Sequence, residues 1–178
     1  MVIIEANVSH AAAIATIGKK TFRKTFADTF KSRLELYEYL EYTYDPVKLA
    51  KSLRKQNNQY FLAMHNDQPV GFAKVKLISL NDHIEPLAQM ELQKLYVLPE
   101  YHGKGAGTAL LNEVKRLAYD NHVDYLWLDT PVTNENGIQF YEGNGFGRMG
   151  RYFFTIGTQR FEYHVMGLPV VVAIKTAC

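Results

Sequence analysis

Leu95-Tyr96-Val97-Leu98-Pro99-Glu100-Tyr101-His102-Gly103-Lys104-Gly105-Ala106-Gly107-Thr108-Ala109-Leu110-Leu111 leads from an apolar strand, through a turn with glycine at every second position, straight into a helix. On the helical side Leu110, Val114 and Leu117 recur at the spacing of one buried stripe. Successive backbone N–H groups in such a turn, together with the unpaired N–H groups of the helix start, form a cradle for a diphosphate. Glycine suits the cradle because a side chain would hold the backbone away from the phosphates. Lys104 adds a positive charge. Two rival phosphate motifs fail on spacing. Lys104 is not followed by the Ser or Thr that G-x-x-x-x-G-K-S/T requires, and Gly103, Gly105 and Gly107 do not fit G-x-G-x-x-G. Taken alone, glycines in a strand-to-helix turn serve structure as readily as ligand binding.

Working outward, Val2–Ala6 reads as a short strand. Ser9 is placed to cap the helix that carries Ala13, Ile14, Ile17 and Thr21 at helical spacing. The helical pattern continues from Phe22 to Leu53, with a break at Asp45-Pro46. Tyr60–His65 and Val70–Leu77 flank Asn66-Asp67-Gln68-Pro69 and read as a hairpin. After a looser connection at Asn81–Pro86 come a long strand, Ala88–Leu98, a helix, Thr108–His122, and a compact buried strand, Tyr125–Thr130. A helix over Asn134–Asn144 stops at Gly145, a residue suited to the left-handed position after a helix end. Gly147–Thr155 and Arg160–Val165 form a final β-pair, followed by an apolar tail. A strand–helix–strand step of this length implies a parallel crossover. The expected fold is therefore α/β (α+β), with a mixed, partly parallel central sheet flanked by helices.

The long strand changes parity. Met90 and Leu92 alternate on one phase, Leu95 and Val97 on the other, with the slip near Gln93-Lys94. A β-bulge does this, because one extra residue sends every later side chain to the other phase. A strand buried on both faces does it too. Both readings stand at this point; only the bulge would splay the strand from its neighbour and open a slot in the sheet.

Composition narrows the function. The chain has 178 residues, and no repeat or linker divides it, so one domain over 1–178 is expected. A net charge of +2, with the basic residues scattered, gives no stripe for tracking nucleic acid. One cysteine, Cys178, provides neither a disulfide nor a Cys/His metal cluster, so no metal is expected. The first residues lack a secretory layout, and no apolar run approaches the roughly 20 residues of a membrane span; Val170–Ile174 is only strand-sized. The expected setting is the cytoplasm.

His102–Gly107 resembles the Q/R-x-x-G-x-G/A signature of the GCN5-related N-acetyltransferase (GNAT) superfamily, with His102 where Gln or Arg is usual. Asn134-Glu135-Asn136-Gly137-Ile138-Gln139-Phe140-Tyr141-Glu142-Gly143-Asn144-Gly145-Phe146 resembles the family's N-x-x-A-x-x-F-Y-x-x-x-G-F segment, with Gly137 replacing Ala. A narrower resemblance, through Thr25-Phe26, Asp28-Thr29-Phe30, Tyr39-Leu40 and Gln59-Tyr60-Phe61, is to bacterial spermidine/spermine N-acetyltransferases.

The resemblance implies acetyl transfer from acetyl-CoA, as cosubstrate, to a small-molecule primary amine, including a polyamine; direct attack is expected because Cys178, at the terminus, is poorly placed for a covalent acyl-enzyme. Alternatives are a protein or peptide amine as acceptor, or a non-catalytic acyl-CoA sensor. It implies backbone contacts to the pantetheine arm along Leu95, Tyr96 and Val97. The diphosphate falls to His102, Gly103, Lys104, Gly105, Ala106, Gly107 and Thr108, and a further cofactor hydrogen bond to Asn134. Asn134 also reads as a helix N-cap. Tyr141 matches the tyrosine that protonates the departing thiolate, and its plain alternative is helix–sheet packing. Glu91, charged in mid-strand, is a candidate general base or a surface ion-pair partner. Carboxylates from Asp28 to Asp45 suit a polyamine or a solvated helix face, and the residues Leu168–Ile174 raise the expectation of a homodimer.

Overall fold

The computed structural model describes residues 1–170. Cys178 and residues 171–174 of the apolar tail lie outside the described residues, and the dimer expectation rests largely on them. Seven strands form one sheet in the order β1-β2-β3-β4-β5-β7-β6. They are β1 (Val2–Glu5), β2 (Asn58–His65), β3 (Gln68–Lys76), β4 (Gln89–Val97), β5 (Tyr125–Pro131), β6 (Gly147–Ile156) and β7 (Gln159–Pro169). Neighbours are antiparallel except β4 and β5, which are parallel and joined through helix α4 (Ala106–Asp120). The mixed, partly parallel sheet of the expected fold class is present.

Helices cover both faces. Helix α1 (Ala11–Phe26), α2 (Arg33–Thr43) and α3 (Pro46–Leu53) share one core with Tyr60, Leu62 and Phe72 of the sheet. Helix α4 and α5 (Glu135–Gly143) share the other with Met90, Leu92, Val97, Leu126 and Leu128. The expected first cap is corrected. Asn7, not Ser9, accepts the N–H of Ser9 and closes a capping box around a 3-10 turn at Val8–His10, so α1 begins without a side-chain cap. The helical run from Phe22 to Leu53 is also broken once more, near Phe30. There Ser32 caps α2, and Asp45 caps α3 with Pro46 in its first turn. The Asn66-Asp67 turn has both residues at positive φ (47° and 59°), as a two-residue hairpin needs, and Gly145 sits at φ 94° beyond α5. The last β-pair extends to Pro169, well past Val165.

Among the described residues no helix is long and apolar enough to cross a membrane. Nor do three His, Cys, Asp or Glu side chains gather as metal ligands among them.

Candidate active site

The parity slip in β4 is a bulge. Lys74 pairs with Lys94 and Val75 with Leu92, leaving Gln93 as the extra residue. Met90, Leu92, Leu95 and Val97 consequently reach the same core despite their opposite phases. On the other face the bulge gathers Glu91 and Lys94, three positions apart, which a regular strand would send to opposite sides.

The bulge also ends the pairing with β5. Only Gln89, Met90 and Glu91 pair with Tyr125, Leu126 and Trp127, and beyond them the two strands part. Leu98 donates its N–H to Val70 on the β3 side. Hydrogen-bonded pairs alternate along an antiparallel ladder, so Leu95 and Val97 turn their N–H and C=O groups the other way, into the opening. The Val97 carbonyl lies 2.8 Å from His102 Nε2, which engages part of that edge from within the protein.

The glycine-rich turn follows directly. Gly103 and Gly105 lie at φ 69° and 83°, and a Cβ on either would meet nothing within 4 Å, so their requirement is conformational. Gly105 precedes α4, which starts two residues earlier than the apolar stripe suggested. Two of the expected amides are satisfied internally: His102 N–H donates to Pro99 O and Lys104 N–H to Tyr101 O. The N–H groups of Gly103, Gly105, Ala106, Gly107 and Thr108 find no backbone acceptor among the described residues. Five free amides around a helix start fit a diphosphate.

Gly103, Gly105, Gly107 and Thr108 border a cleft of about 520 Å³ that continues along Leu95–Val97 to Phe140 and Tyr141. Its opposite wall is α1, where the Thr21 hydroxyl is buried without a hydrogen-bond partner. Nothing in the motifs marked Thr21, whose place on the helical stripe identified it only as core. Asn134 caps α5 by accepting the N–H of Gly137 at 3.3 Å and donates to Thr130 Oγ1 at 3.0 Å. A Cβ at Gly137 would come within 2.3 Å of the Asn134 amide, so glycine permits this close cap where the family pattern has alanine.

A second cleft, of about 370 Å³, opens on the α1–α3 side of the sheet. It shares Phe26, Leu95, Tyr96, Asn134 and Tyr141 with the first. Tyr141 stands at this junction, and burial, then the nearby Asp129 charge, pushes its phenol well above the usual range. It therefore holds its proton at neutral pH. Glu91 is buried in the second cleft, where Ser79 donates to Oε2 at 2.7 Å and Lys76 Nζ approaches to 3.1 Å. Across the opening stands Asp129, bonded by the Tyr152 hydroxyl. Burial raises the Asp129 carboxyl pKa, the Tyr152 bond opposes that shift, and the Glu91 charge adds to it. Asp129 was missed from sequence, although a lone acid in the apolar strand Leu126-Trp127-Leu128-Asp129 carried a signal like that of Glu91.

This arrangement has relatives. Residues 20–146 match the model of the acetyltransferase (GNAT) family. An uncharacterised N-acetyltransferase of Mycobacterium tuberculosis is 32% identical over 120 residues, covering 67% of this chain and 72% of the relative. In fold the chain is similar to the PaiA N-acetyltransferase of Thermoplasma acidophilum, a structure solved in complex with coenzyme A. That match has a TM-score of 0.75 at 21% identity, over 95% of this chain and 99% of the other. It is also similar to a ribosomal-protein-alanine N-acetyltransferase of Brucella melitensis, with a TM-score of 0.67 at 18% identity over 95% and 99% of the two chains. With most of its length matched by the family model, the chain belongs to the GNAT family and is an acetyl-CoA-dependent N-acetyltransferase.

Proposed function

We propose that residues 1–178 form one acetyltransferase domain, in which the turn at 102–108 and the unpaired edge of β4 hold acetyl-CoA. A small primary amine in the second cleft attacks the thioester directly. The observation that carries this reading is the meeting of the two clefts at Leu95, Tyr96, Asn134 and Tyr141.

The coenzyme supplies an activated acetyl group. The amine nitrogen must shed a proton before it bonds to the acetyl carbon, and the departing sulfur takes one up. Tyr141, kept protonated by its surroundings, is the donor to sulfur. Of the two carboxylates in the acceptor cleft, Asp129 is the stronger candidate to receive the amine's proton, because Glu91 already binds Lys76 and Ser79. Glu91 stays in the proposal as the second carboxylate. Among the cofactor candidates, Lys104 acts through its charge and His102 by holding the Val97 carbonyl, since their amides are engaged, and Gly103 with 105–108 act through free amides. Val97 retains its N–H on the open edge, and Asn134 combines capping with its place at the junction.

A polyamine acceptor, implied by the narrower resemblance, would bring positive charge to a cleft already lined by Lys48, Lys74 and Lys94. It is the less favoured kind of amine. A cytoplasmic homodimer completes the reading. Sedimentation tests it, and the exposed Phe153 and Phe154 on edge strand β6 are a surface for it.

Thiol release from acetyl-CoA across polyamines, aminoglycosides, amino acids and peptides tests the catalytic proposal. Turnover is expected with at least one class. Tyr141→Phe should lower kcat by about 10²-fold, the lower end for a lost general acid or base. Asp129→Asn should fall by a similar factor and Glu91→Gln by less. Background turnover throughout, or full activity of Tyr141→Phe, overturns it.

A further inference from the structure

The acceptor cleft contains two lysines, Lys74 and Lys94, that no ion pair engages among the described residues. Lys74 on β3 and Lys94 on β4 are directly opposite one another, and like charges in that position repel and destabilise a sheet. None of the ion pairs among the described residues includes either one. Their ammonium groups lean on aromatic rings instead. Lys74 Nζ is 5.6 Å from the Tyr60 ring centre, and Lys94 Nζ is 5.4 Å from that of Tyr44 and 5.9 Å from that of Tyr96. Such contacts ease desolvation but cancel no charge.

The carboxylates of the same cleft are differently placed. The lining carries Lys48, Lys74 and Lys94 against Asp129 and Glu91, and Glu91 is already paired with Lys76, so positive charge is in excess. Lys48, a third lining lysine, sits 3.2 Å from the centre of the Tyr42 ring. Burial, and for Lys74 the neighbouring Lys94, depresses the proton affinity of both central lysines. The protein thus holds two crowded cations at a free-energy disadvantage that an anion between them would relieve.

We propose that the acceptor is a small primary amine that also carries an anionic group, a carboxylate or a phosphate, gripped by Lys74 and Lys94. The two walls of the opening divide the work. Lys94 on the β4 side holds the anion, while Asp129 on the β5 side and Tyr141 at the junction face the amine and the thioester. This inference rests on the acetyl-transfer reading above and specifies its substrate class.

The test compares amines that differ in the anion alone. Lysine against cadaverine and ornithine against putrescine form the carboxylate arm; glucosamine 6-phosphate against glucosamine and phosphoethanolamine against ethanolamine form the phosphate arm. In at least one arm the anionic member should show kcat/KM at least tenfold above its partner, and the arm that responds identifies the anion. Lys74→Met and Lys94→Met keep the apolar stem without the charge. Each should shrink that ratio towards one, chiefly by raising KM, with CoA affinity reporting that the variant folds. Calorimetry on the enzyme–CoA complex supplies a readout free of turnover: anionic amines should bind, and bind several-fold more weakly to either variant. Equal or better use of the neutral or purely cationic partners overturns the inference, as does unchanged selectivity in both variants or absence of anionic-amine binding. Failure to bind acetyl-CoA, or to acetylate any amine, falls instead on the acetyl-transfer reading.

Discussion

Lys74 and Lys94 give the site a pH signature. Burial is the largest cause in each and lowers both from 10.5 to about 8. For Lys74 the next contributions are Lys94 and Lys76, which lower it, and Glu91, which raises it. For Lys94 they are Asp129 and Glu91, which raise it, and Lys48, which lowers it. Below pH 8 both are cations, and above it they lose charge. The preference for an anionic amine over its partner should therefore fall as pH rises through about 8. Parallel kcat/KM profiles for lysine and cadaverine check this, and a ratio that stays flat to pH 9.5 (roughly 1.5 units above that midpoint) contradicts it. Protein stability shifts in the opposite direction. The unfolded lysines keep protons to about 10.5 while the folded ones release them near 8, so the unfolded chain binds more protons between those limits. Stability contributed by these groups rises with pH across that window. At this scale the sequence was only half legible. Tyr141 and Asn134 stood out because the motif places them at a fixed distance from Gly145. Asp129, Lys74 and Lys94 come from three strands and meet only when the sheet forms, and Thr21 reaches the neighbouring cleft only when α1 packs on it.

Among the elements, β4 was the most readable. Its parity slip near Gln93 could be seen in the chain, but choosing between a bulge and a doubly buried strand required its partners, because register belongs to a pair of strands. The glycine-rich turn was legible as a cradle, although two of its amides are used by the protein itself. The Ser9 cap was misread because Asn7 and Ser9 are equally good caps by type, and only the 3-10 turn selects Asn7. Helix α1 carries a less visible constraint. Gly18 faces the ring of fully buried Tyr44, and a Cβ there would lie 2.3 Å from Cδ1 and Cε1. Overpacking of this kind typically costs about 1–3 kcal/mol, against roughly 1 kcal/mol gained when Ala replaces Gly in a helix. Gly18→Ala should therefore destabilise the protein by on the order of 1 kcal/mol, despite better helix propensity. Denaturant unfolding checks it, and a more stable variant would show that Tyr44 can move aside.

Across the whole molecule, function follows from one topological event. The sheet is continuous from β1 to β6, yet β4 and β5 pair over three residues and then separate. That separation exposes the β4 edge to one cleft, while the bulge beside it turns Glu91 and Lys94 into the other. Both clefts meet at Tyr141, and both are walled by α1, so the proposed acetyl donor and acceptor would converge at the gap between β4 and β5. The α/β order and the parallel crossover were readable from the alternation of strand and helix patterns. The strand order was not, since β7 lying between β5 and β6 leaves no trace in local periodicity. In the proposed complex the free amides of Gly103, Gly105, Ala106, Gly107 and Thr108 receive the linked phosphates of the coenzyme. Amide NMR during titration with CoA tests it most directly. Those five resonances should shift together and saturate with one affinity, and Gly105→Val should weaken that affinity. Saturating CoA binding that leaves all five unmoved would rule this cradle out.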